Sequence, residues 1–396
     1  MTDQLGQSQV IPYFIGLAKS GYQITIISFE KENNYKKNLE IIRTLLANNN
    51  INWKPLFYTK NPPVFSTLFD LWRMKSLAFE LHHKIGFDVV HCRSYISALV
   101  GLSMKRKFSI KFIFDMRGLW TDERVEGKLW NLKNPVYSFI YKFFKRKELE
   151  FFKEADFIIS LTEAGKKEII KLVNRKEPLP IKVIPCCTDI KLFSKENINV
   201  IKKEQIISEF SINPNDVIIS YLGAIGTWYM MDEMLHFFSE LLKKITDSKF
   251  LIITNEPAEA ILNLAKKYKI NPNKILIQEA ARDEVPTYIS LSNLSIFFIK
   301  PTYSKIASSP TKFGEIMAMG IPVICNAGIG DIEKQVDSCG DVISKFDDET
   351  FNRLIDDIPR LLAIPSASIR ERSIQLFSLE KGIKLYEEVY KELFGK

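Results

Sequence analysis

Residues 308–331 carry the side chains whose types and spacing are best suited to chemistry. Ser309 and Pro310 are typical of a helix N-terminus, where free amide groups attract anionic phosphate. Glu315 follows about one turn later, close enough to reach a sugar hydroxyl on the same ligand. The pattern predicts a nucleotide site, with the backbone and side chains of residues 308–312 beside the phosphates. The predicted contacts are Ser308, Ser309, Thr311, Lys312 and Glu315.

The same stretch also fits an ordinary helix and strand with no ligand. That interpretation places a helix at residues 311–319, Gly320 as its C-terminal cap and a buried strand at residues 323–325. It accounts for the glycine but leaves Lys312, Glu315 and the closing residues 328–331 unexplained. On pattern alone, both interpretations stay open.

Two glycine-containing segments could bring backbone amides against a diphosphate. Gly6 stands before a predicted helix near the start of the chain. Gly223 and Gly226 follow the predicted strand at residues 217–222 and precede another helix. Since glycine lets the backbone approach a ligand closely, all three are candidate phosphate contacts.

A run of acids and arginines follows the predicted strand at residues 112–115. Charges at a strand's carboxyl end could orient acceptor hydroxyls and stabilise a leaving phosphate. Arg93 ends another predicted strand and is a further candidate. An ion-paired loop is the alternative interpretation. The candidate catalytic residues in this run are Asp115, Arg117 and Asp122, and Arg93 and Arg124 are the candidates on the acceptor side.

Short apolar runs alternate with helical patterns in both halves of the chain. In the first half they lie at residues 24–29, 89–91, 112–115, 157–161 and 183–184. In the second half they lie at residues 217–222, 250–253, 275–277, 295–299 and 323–325. Because both faces of these runs are apolar, they indicate parallel sheets covered by helices. The fold class is therefore α/β.

The polar stretch at residues 194–205 lacks apolar periodicity and predicts a domain boundary. The predicted domains are residues 1–193 and 206–379, followed by an amphipathic helix at 380–396. Folds of this kind bind ligands beyond the carboxyl ends of their strands, so a cleft between the domains is the expected site.

Composition fits a globular protein of two domains, with 396 residues and 46% hydrophobic residues. The net charge of +8 is scattered, which indicates either a solvated surface or attraction to anionic phospholipid or a phosphorylated acceptor. No nucleic-acid motif occurs in the sequence. Residues 134–156 mix aromatics with basic residues, and a core-facing helix is favoured over one lying on a membrane.

The cysteines and histidines predict neither disulfides nor a metal site. Five cysteines include no CxxC pair, which indicates buried thiols in a reducing compartment. Four histidines lack metal-ligand spacing. No signal peptide and no apolar run of about 20 residues is evident, so the expected location is cytoplasmic, including the inner face of the membrane.

Several of these motifs resemble the retaining glycosyltransferases of family four, in a bacterial surface-polysaccharide branch. The resemblance extends from Gly6 to residues 377–380 and is most specific at residues 115–124 and 308–331. It implies a GT-B fold, with two Rossmann-like domains facing across a cleft. The first domain would take the acceptor, the second would bind the donor, and the C-terminal helix would pack back on the first.

The resemblance also implies an activity. A sugar would move from a nucleotide diphosphate sugar to a hydroxyl of a growing, lipid-linked surface glycan, with retention of configuration. Neither a metal cofactor nor a protein nucleophile would be needed, because amides and cations would stabilise the diphosphate. The implied partners are a nucleotide sugar, a glycan or lipid-linked glycan and an anionic membrane surface, with no nucleic acid.

The sequence departs from the family pattern in three places. The family's first strand is missing before the loop at Gly6, so an upstream segment is expected to encode it. In the family's Glu-x7-Glu pair, Glu315 matches the second member, but Ala307 replaces the first. Residues 228–230 stand where many members carry the Arg and Lys that hold the diphosphate. Lys312 is then the first choice for that cation and Lys305 the second.

The nucleobase is expected near residues 278–282, with Arg282 as a contact, by position in the family. Two alternatives to a transferase remain. One is a nucleotide-sugar epimerase of the same fold, which would need an acid or base at the sugar. The other is an inactive nucleotide-binding scaffold subunit that keeps Glu315 but lacks turnover.

Overall fold

The computed structural model describes residues 1–59, 61–62, 64–174 and 177–395. The chain divides into two compact units. The first unit is Met1–Pro185 with Leu379–Lys396, and the second is Cys186–Ser378.

The first unit contains two parallel sheets. One pairs β1 with β2, and the other has the order β3-β4-β5-β6. The strands are β1 (Ile24–Glu30), β2 (Ile51–Phe57), β3 (Val89–Arg93), β4 (Lys111–Asp115), β5 (Phe157–Ser160) and β6 (Ile181–Val183). Among the described residues, no backbone ladder joins the two sheets.

Nine helices of the described residues belong to this unit. They are α1 (Gln4–Gln9), α2 (Ile11–Lys19), α3 (Glu32–Asn48), α4 (Phe65–Ile85), α5 (Ser94–Phe108), α6 (Trp120–Glu126), α7 (Pro135–Glu154), α8 (Glu163–Val173) and the last helix of the chain, α18 (Leu379–Leu393). Phe112, Ile113 and Phe114 of β4 are fully buried, because helices cover both faces of the sheet. On α7, Phe151 and Phe152 are also fully buried, as expected for a core-facing helix.

The second unit is built on one six-stranded parallel sheet with the order β12-β11-β10-β7-β8-β9. The strands are β7 (Val217–Leu222), β8 (Ser248–Ile253), β9 (Ile275–Gln278), β10 (Leu294–Phe297), β11 (Val323–Asn326) and β12 (Gly340–Ile343). The strand order reverses at β7, which has β8 on one side and β10 on the other. In open α/β sheets such a reversal opens a crevice at the carboxyl ends of the strands.

The helices of the second unit connect these strands. They are α9 (Val200–Glu209), α10 (Met231–Lys244), α11 (Ala258–Lys267), α12 (Val285–Ile289), α13 (Thr311–Ala318), α14 (Ile332–Gln335), α15 (Asp348–Asp356), α16 (Ile358–Leu362) and α17 (Ser366–Phe377). Three short 3-10 helices add to them at Lys195–Asn197, Pro272–Lys274 and Tyr303–Ala307.

Every apolar run predicted as a strand overlaps a strand of the structure. The sequence patterns miss β2 and β12. β2 contains Lys54 and Pro55 and is half-buried along most of its length, so it lacks the apolar signature of a central strand. β12 begins with Gly340 and Asp341 and pairs only with β11 among the described strands.

The change of unit falls between Pro185 and Cys186, earlier than the predicted boundary at residues 193–206. Hydrogen bonds explain the difference. The Thr188 amide donates to the Phe377 carbonyl at 2.7 Å, and the Arg370 guanidinium donates to the Phe193 carbonyl at 2.6 Å. These contacts attach residues 186–193 to the second unit.

The structure assigns α18 to the first unit. Lys182 and Glu388 form an ion pair at 2.5 Å, and the His91 ring nitrogen lies 2.9 Å from the Tyr390 hydroxyl. Within the described residues, none of the helices has the length and hydropathy needed to cross a bilayer.

Candidate functional site

A buried lysine lies near the end of β7, on the first turn of α13. Lys312 is 7% exposed, and its ammonium donates to the Tyr221 hydroxyl at 3.0 Å. The ammonium also lies 3.8 Å from the ring centre of Tyr229 and 4.2 Å from that of Tyr221. No ion pair joins Lys312 to a carboxylate in the described part of the chain. Its neighbours are therefore aromatic rings and one phenol.

Burial lowers the pKa of Lys312 well below its usual value, although the nearby Glu315 carboxylate partly opposes the shift. Tyr221 cannot balance the charge, because burial, with a contribution from Tyr229, raises the pKa of its hydroxyl. That hydroxyl donates its own proton to the Ala224 carbonyl. It can therefore only accept from Lys312.

Gly223 makes room for this lysine. Its φ of 123° lies in the region that favours glycine, and a Cβ there would be 2.8 Å from the Lys312 nitrogen. The glycine thus allows the backbone turn after β7 and leaves room for the Lys312 side chain. Gly226 is exposed and would meet nothing with a Cβ, so the structure requires no glycine there.

Glu315 lies one turn further along α13 and pairs with Arg282. Its Oε1 is 2.9 Å from the Arg282 Nη1, and the glutamate is 5% exposed. The guanidinium also lies over the Phe193 ring, 5.3 Å from its centre. Two residues predicted from distant parts of the sequence therefore meet as an ion pair.

Lys305 is a second buried lysine of the same loop region, 6% exposed, with its ammonium 3.8 Å from the centre of the Trp228 ring. Its carbonyl accepts the amides of Ser308 at 3.1 Å and Gly330 at 2.9 Å. The Ser308 amide, predicted to face the phosphates, is thus used within the loop.

The backbone amides at the start of α13 have no side-chain cap. Pro310 is the N-cap residue, and the helix has no side-chain cap, which leaves Thr311 and Lys312 in the position of uncapped first-turn residues. The Ser309 hydroxyl is used elsewhere, since it accepts the Cys186 amide at 3.2 Å.

Gly6 does not lie in a phosphate-facing loop. It lies inside α1, where its amide donates to the Asp3 side chain at 2.7 Å. A Cβ at Gly6 would come within 2.7 Å of the Met1 backbone, so the glycine is explained by packing. The predicted loop at Gly6 is thus a helix capped by Asp3, and the donor contact at Gly6 stays a prediction.

In the first unit, Asp115 at the end of β4 is fully buried among cations and a phenol. Its Oδ2 accepts from Arg93 at 3.3 Å and from the Tyr386 hydroxyl at 3.0 Å. The Arg117 guanidinium lies 3.8 Å from Oδ1, and the His91 ring lies 3.5 Å from Oδ2. Three of the predicted residues, Asp115, Arg93 and Arg117, thus come together.

Burial raises the pKa of Asp115, but Arg117 and Arg93, followed by His91, lower it by more. The carboxyl therefore stays ionised. It has no exposed surface and contacts its protein partners instead of solvent, and its catalytic role stays a prediction.

Asp122, on α6, belongs to a separate network. It accepts from the Tyr141 hydroxyl at 2.9 Å and from the Lys145 ammonium at 2.9 Å. Lys145 also pairs with the fully buried Glu148, which in turn accepts from Tyr95. Burial, and then the Asp122 charge, raises the pKa of Tyr141 to about 12.

Arg124 follows on the same helix, with its guanidinium 5.1 Å from the ring centre of Trp120. Unlike Asp115, it is only half-buried. An acceptor contact by this guanidinium remains compatible with its position.

Sequence reasoning missed the aromatic partners of these clusters. Tyr386 on α18 contacts Asp115, and Tyr221 and Tyr229 surround Lys312. The sequence did hint at the rings around Lys312, because aromatic residues occupy positions 228–229, where the family pattern predicts cations. The rings hold lysines that come from elsewhere in the chain.

Potential metal ligands come together at one place in the described residues. His236, Glu240 and Asp348 offer atoms within 4.8 Å of one another. The His236 Nε2 lies 2.8 Å from Asp348, and Glu240 forms an ion pair with Lys243 at 2.5 Å.

Two protein-family models match this chain, one in each half. The model of Glycosyltransferase Family 4 matches residues 15–192, and the model of Glycosyl transferases group 1 matches residues 202–361. Among curated proteins, no significant match occurs.

Solved structures share the fold at low identity. The glycosyltransferase from Rickettsia africae ESF-5 is 19% identical, with a TM-score of 0.70 over 99% of this chain and 96% of that one. Alr3699/HepE from Anabaena, in complex with UDP-glucose, is 13% identical, with a TM-score of 0.69 over 100% and 98%. WaaG, a glycosyltransferase involved in lipopolysaccharide biosynthesis, is 14% identical, with a TM-score of 0.63 over 96% and 95%.

This chain belongs to glycosyltransferase family 4, and its two α/β units have the GT-B fold.

Proposed function

We propose that the chain transfers a sugar from a nucleoside diphosphate sugar to a hydroxyl of a glycan, and that the diphosphate binds at Lys312. The observation that carries this proposal is the burial of Lys312 beside Gly223 without an ion-pair partner among the described residues. The site lies where the strand order reverses, at the carboxyl end of β7.

The charge of Lys312 supports an anionic ligand. A buried ammonium is unfavourable unless it is paired, and here aromatic faces supply only part of the compensation. A diphosphate would provide the missing negative charge. The uncapped first turn of α13 would add amide groups and the helix dipole to the same ligand.

Glu315 and Arg282 suit the nucleoside. A carboxylate accepts hydrogen bonds from two adjacent hydroxyls, as a ribose offers them, and its ion pair at 2.9 Å with Arg282 holds it in place. Because Alr3699/HepE has been solved with UDP-glucose, UDP sugars are the first donors to test.

In the proposed reaction, the bond between the sugar's anomeric carbon and the diphosphate oxygen breaks. The acceptor oxygen forms a new bond to the same carbon, on the same face, so that configuration is retained. The acceptor proton passes to the departing phosphate. Lys312 and Lys305 stabilise the charge that develops on the diphosphate, so neither a protein nucleophile nor a metal ion is required.

Ala307, at the position of the family's sugar-contacting glutamate, is fully buried in the 3-10 helix Tyr303–Ala307. We therefore assign no carboxylate contact to the sugar at this position. Recognition of the sugar would rest on backbone groups and on the loops after β10 and β11.

For the acceptor, we propose a lipid-linked surface glycan, which the likeness to WaaG supports. Arg93 and Arg124 keep partial exposure and are candidates for acceptor contacts. Asp115 would act as a positioning residue that fixes Arg93 and Arg117. Five free, buried cysteines fit the proposed cytoplasmic location.

A panel of nucleotide sugars tests the proposal. Donor hydrolysis or transfer should be seen with one of them, and Lys312→Met should lower that rate by about 100-fold or more. Lys203→Met is the matched control, because its half-buried ammonium lies on α9 and donates to the Ser290 carbonyl at 3.2 Å. Equal rates in wild type and Lys312→Met would overturn the site. Binding of UDP without turnover of any donor would favour the scaffold alternative.

A further inference from the structure

The first half of α4 exposes its apolar face to solvent. Phe65, Leu68, Phe69 and Trp72 are 71%, 56%, 50% and 62% exposed, respectively. Their spacing of three and four residues places them on one face of the helix. An amphipathic helix of a globular protein normally buries such a stripe. This one presents it to solvent.

Hydrogen bonds fix this orientation. Asp70 is 6% exposed, and its carboxylate accepts both the amide and the hydroxyl of Thr59 at 2.8 Å. Arg73 also donates to Asp70, at 3.2 Å, and Ser66 on the same inner side is 7% exposed. Rotating the helix to bury the aromatics would break these bonds and leave a carboxylate without partners. The exposure of the stripe is therefore built into the fold.

The apolar surface continues before the helix. Tyr58 and Phe57 are 56% and 41% exposed. Within the helix, the rings of Phe69 and Trp72 stack with centres 5.9 Å apart. Together with the stripe on α4, these residues form a contiguous stretch of sequence rich in exposed aromatics, which we call the α4 surface.

Basic side chains border the α4 surface. The Arg73 guanidinium lies 5.7 Å from the ring centre of Phe69, and the Lys75 ammonium lies 5.4 Å from that of Phe79. Residues 51–79 contain four Lys or Arg residues and a single acidic residue, Asp70, which is buried and hydrogen-bonded. The segment is therefore apolar and positively charged, and the exposed carboxylates nearest to it are Asp3, which acts on Tyr58, and Glu80, which pairs with Lys84 beyond its last residue.

We propose that the α4 surface docks on an anionic phospholipid bilayer. Aromatic and aliphatic side chains would enter the boundary between headgroups and acyl chains, while Arg73 and Lys75 would contact the phosphates. Trp and Tyr are suited to this depth because each has an apolar body and a polar group. A lipid surface fits this charge pattern better than a second copy of the chain, whose same surface would carry the same positive charge.

The helix α7, which also mixes aromatics with basic residues, provides a contrast. Its Phe144, Phe151 and Phe152 are buried in the first unit, which leaves fewer rings for a membrane. The inference concerns a surface remote in sequence from the donor residues, so it is independent of the proposed donor chemistry.

Vesicle co-sedimentation tests the docking. Wild type should bind vesicles of phosphatidylcholine and phosphatidylglycerol in equal parts, bind phosphatidylcholine alone much more weakly, and detach as salt is raised. The double variant Phe69→Ser with Trp72→Ser should lose about tenfold or more in partitioning, because two large apolar groups no longer enter the lipid.

The matched control is Val200→Ser with Ile201→Ser, which removes two apolar side chains that are 62% and 71% exposed on α9 of the second unit. It should bind vesicles as wild type does. Thermal unfolding and UDP binding should be unchanged in both double variants, which separates this test from that of the donor site.

Two results would overturn the proposal. One is equal vesicle binding by wild type and the α4 variant, or no binding by either. The other is a wild-type dimer in solution that the α4 substitutions convert to a monomer, since the surface would then bind a second copy.

Discussion

The clusters around Asp115 and Lys312 are both buried and both charged, yet they differ in how their charge is balanced. Asp115 in the first unit lies among Arg93, Arg117 and His91 and accepts from Tyr386. Lys312 in the second unit has aromatic rings and one hydroxyl around its ammonium. The Asp115 carboxylate thus has oppositely charged partners within the protein. The second cluster lacks an anion.

A third buried charge shows that this difference is not a general property of the second unit. Lys249 is 7% exposed, like Lys312, but it lies 3.3 Å from the Asp216 carboxylate and donates to the Phe210 carbonyl at 2.8 Å. The fold can therefore satisfy a buried lysine where no ligand is expected. Asp115 and Lys249 each have an oppositely charged partner, whereas Lys312 has none among the described residues, and this distinguishes the site we assign to the donor.

The largest effect should come from removing the charge of Asp115. Asp115→Asn should lower the free energy of unfolding by about 2–4 kcal/mol at neutral pH, because it leaves two partly buried arginines beside an uncharged amide. Since the pKa of Asp115 is lowered in the folded state, its contribution is present above about pH 4 and is lost as the pH falls further.

Urea unfolding at several pH values measures this change, and UDP affinity should stay at the wild-type level. A loss of UDP binding with little loss of stability would reverse the roles assigned to the two clusters.

Substitution of Lys312 should change the free energy of unfolding in the opposite direction. Lys312→Met should raise the free energy of unfolding by about 1–4 kcal/mol at neutral pH, because it removes a lysine whose charged form is disfavoured by burial in the folded state but not in the unfolded chain. The pKa of Lys312 is lowered in the folded state, so the unfolded chain takes up this proton first as the pH falls. The gain should therefore disappear above about pH 10.4, where both states are neutral.

Denaturation of wild type and variant between neutral and alkaline pH checks the sign. A variant less stable than wild type at neutral pH would show that the ammonium is already compensated in the free protein.

A smaller effect is expected one turn along α13. Glu315→Gln should raise the donor KM by about tenfold, which is the cost of weakening a charged hydrogen bond to a ribose hydroxyl. Glu240→Gln is the control, because Glu240 is 7% exposed and pairs with Lys243 away from the predicted donor residues. Steady-state kinetics with both variants measure the donor KM. An unchanged KM in Glu315→Gln would contradict the proposed ribose contact.

Metal removal should have the smallest effect. If Lys312 and Lys305 supply the charge at the diphosphate, EDTA should leave the transfer rate unchanged. Loss of activity with EDTA, restored by Mg²⁺ or Mn²⁺, would show that the two lysines do not suffice.

The sequence predicted the regular parts of this fold well. Buried parallel strands have an apolar signature, and most of the predicted donor residues, including Gly223, Arg282, Lys312 and Glu315, lie in the second unit. The sequence did not predict which of these residues contact one another. The contact between Arg282 and Glu315 joins residues 33 positions apart through the order of the sheet.

Other features could not be obtained from local pattern. Gly6 resembles a phosphate loop, but the Asp3 side chain makes it part of a helix. The acids of residues 115–122 indicate a site by type, whereas their burial depends on Tyr386 of α18 and on Lys145 of α7. Such partners are distant in sequence and follow only from tertiary packing.

The most direct test of the central claim is calorimetric titration of UDP in buffers with different enthalpies of ionisation. We expect wild type to take up a proton on binding, because the diphosphate raises the lowered pKa of Lys312. Lys312→Met should bind UDP far more weakly and without proton uptake, while Lys203→Met should behave as wild type. Wild-type affinity for UDP in Lys312→Met would contradict the account.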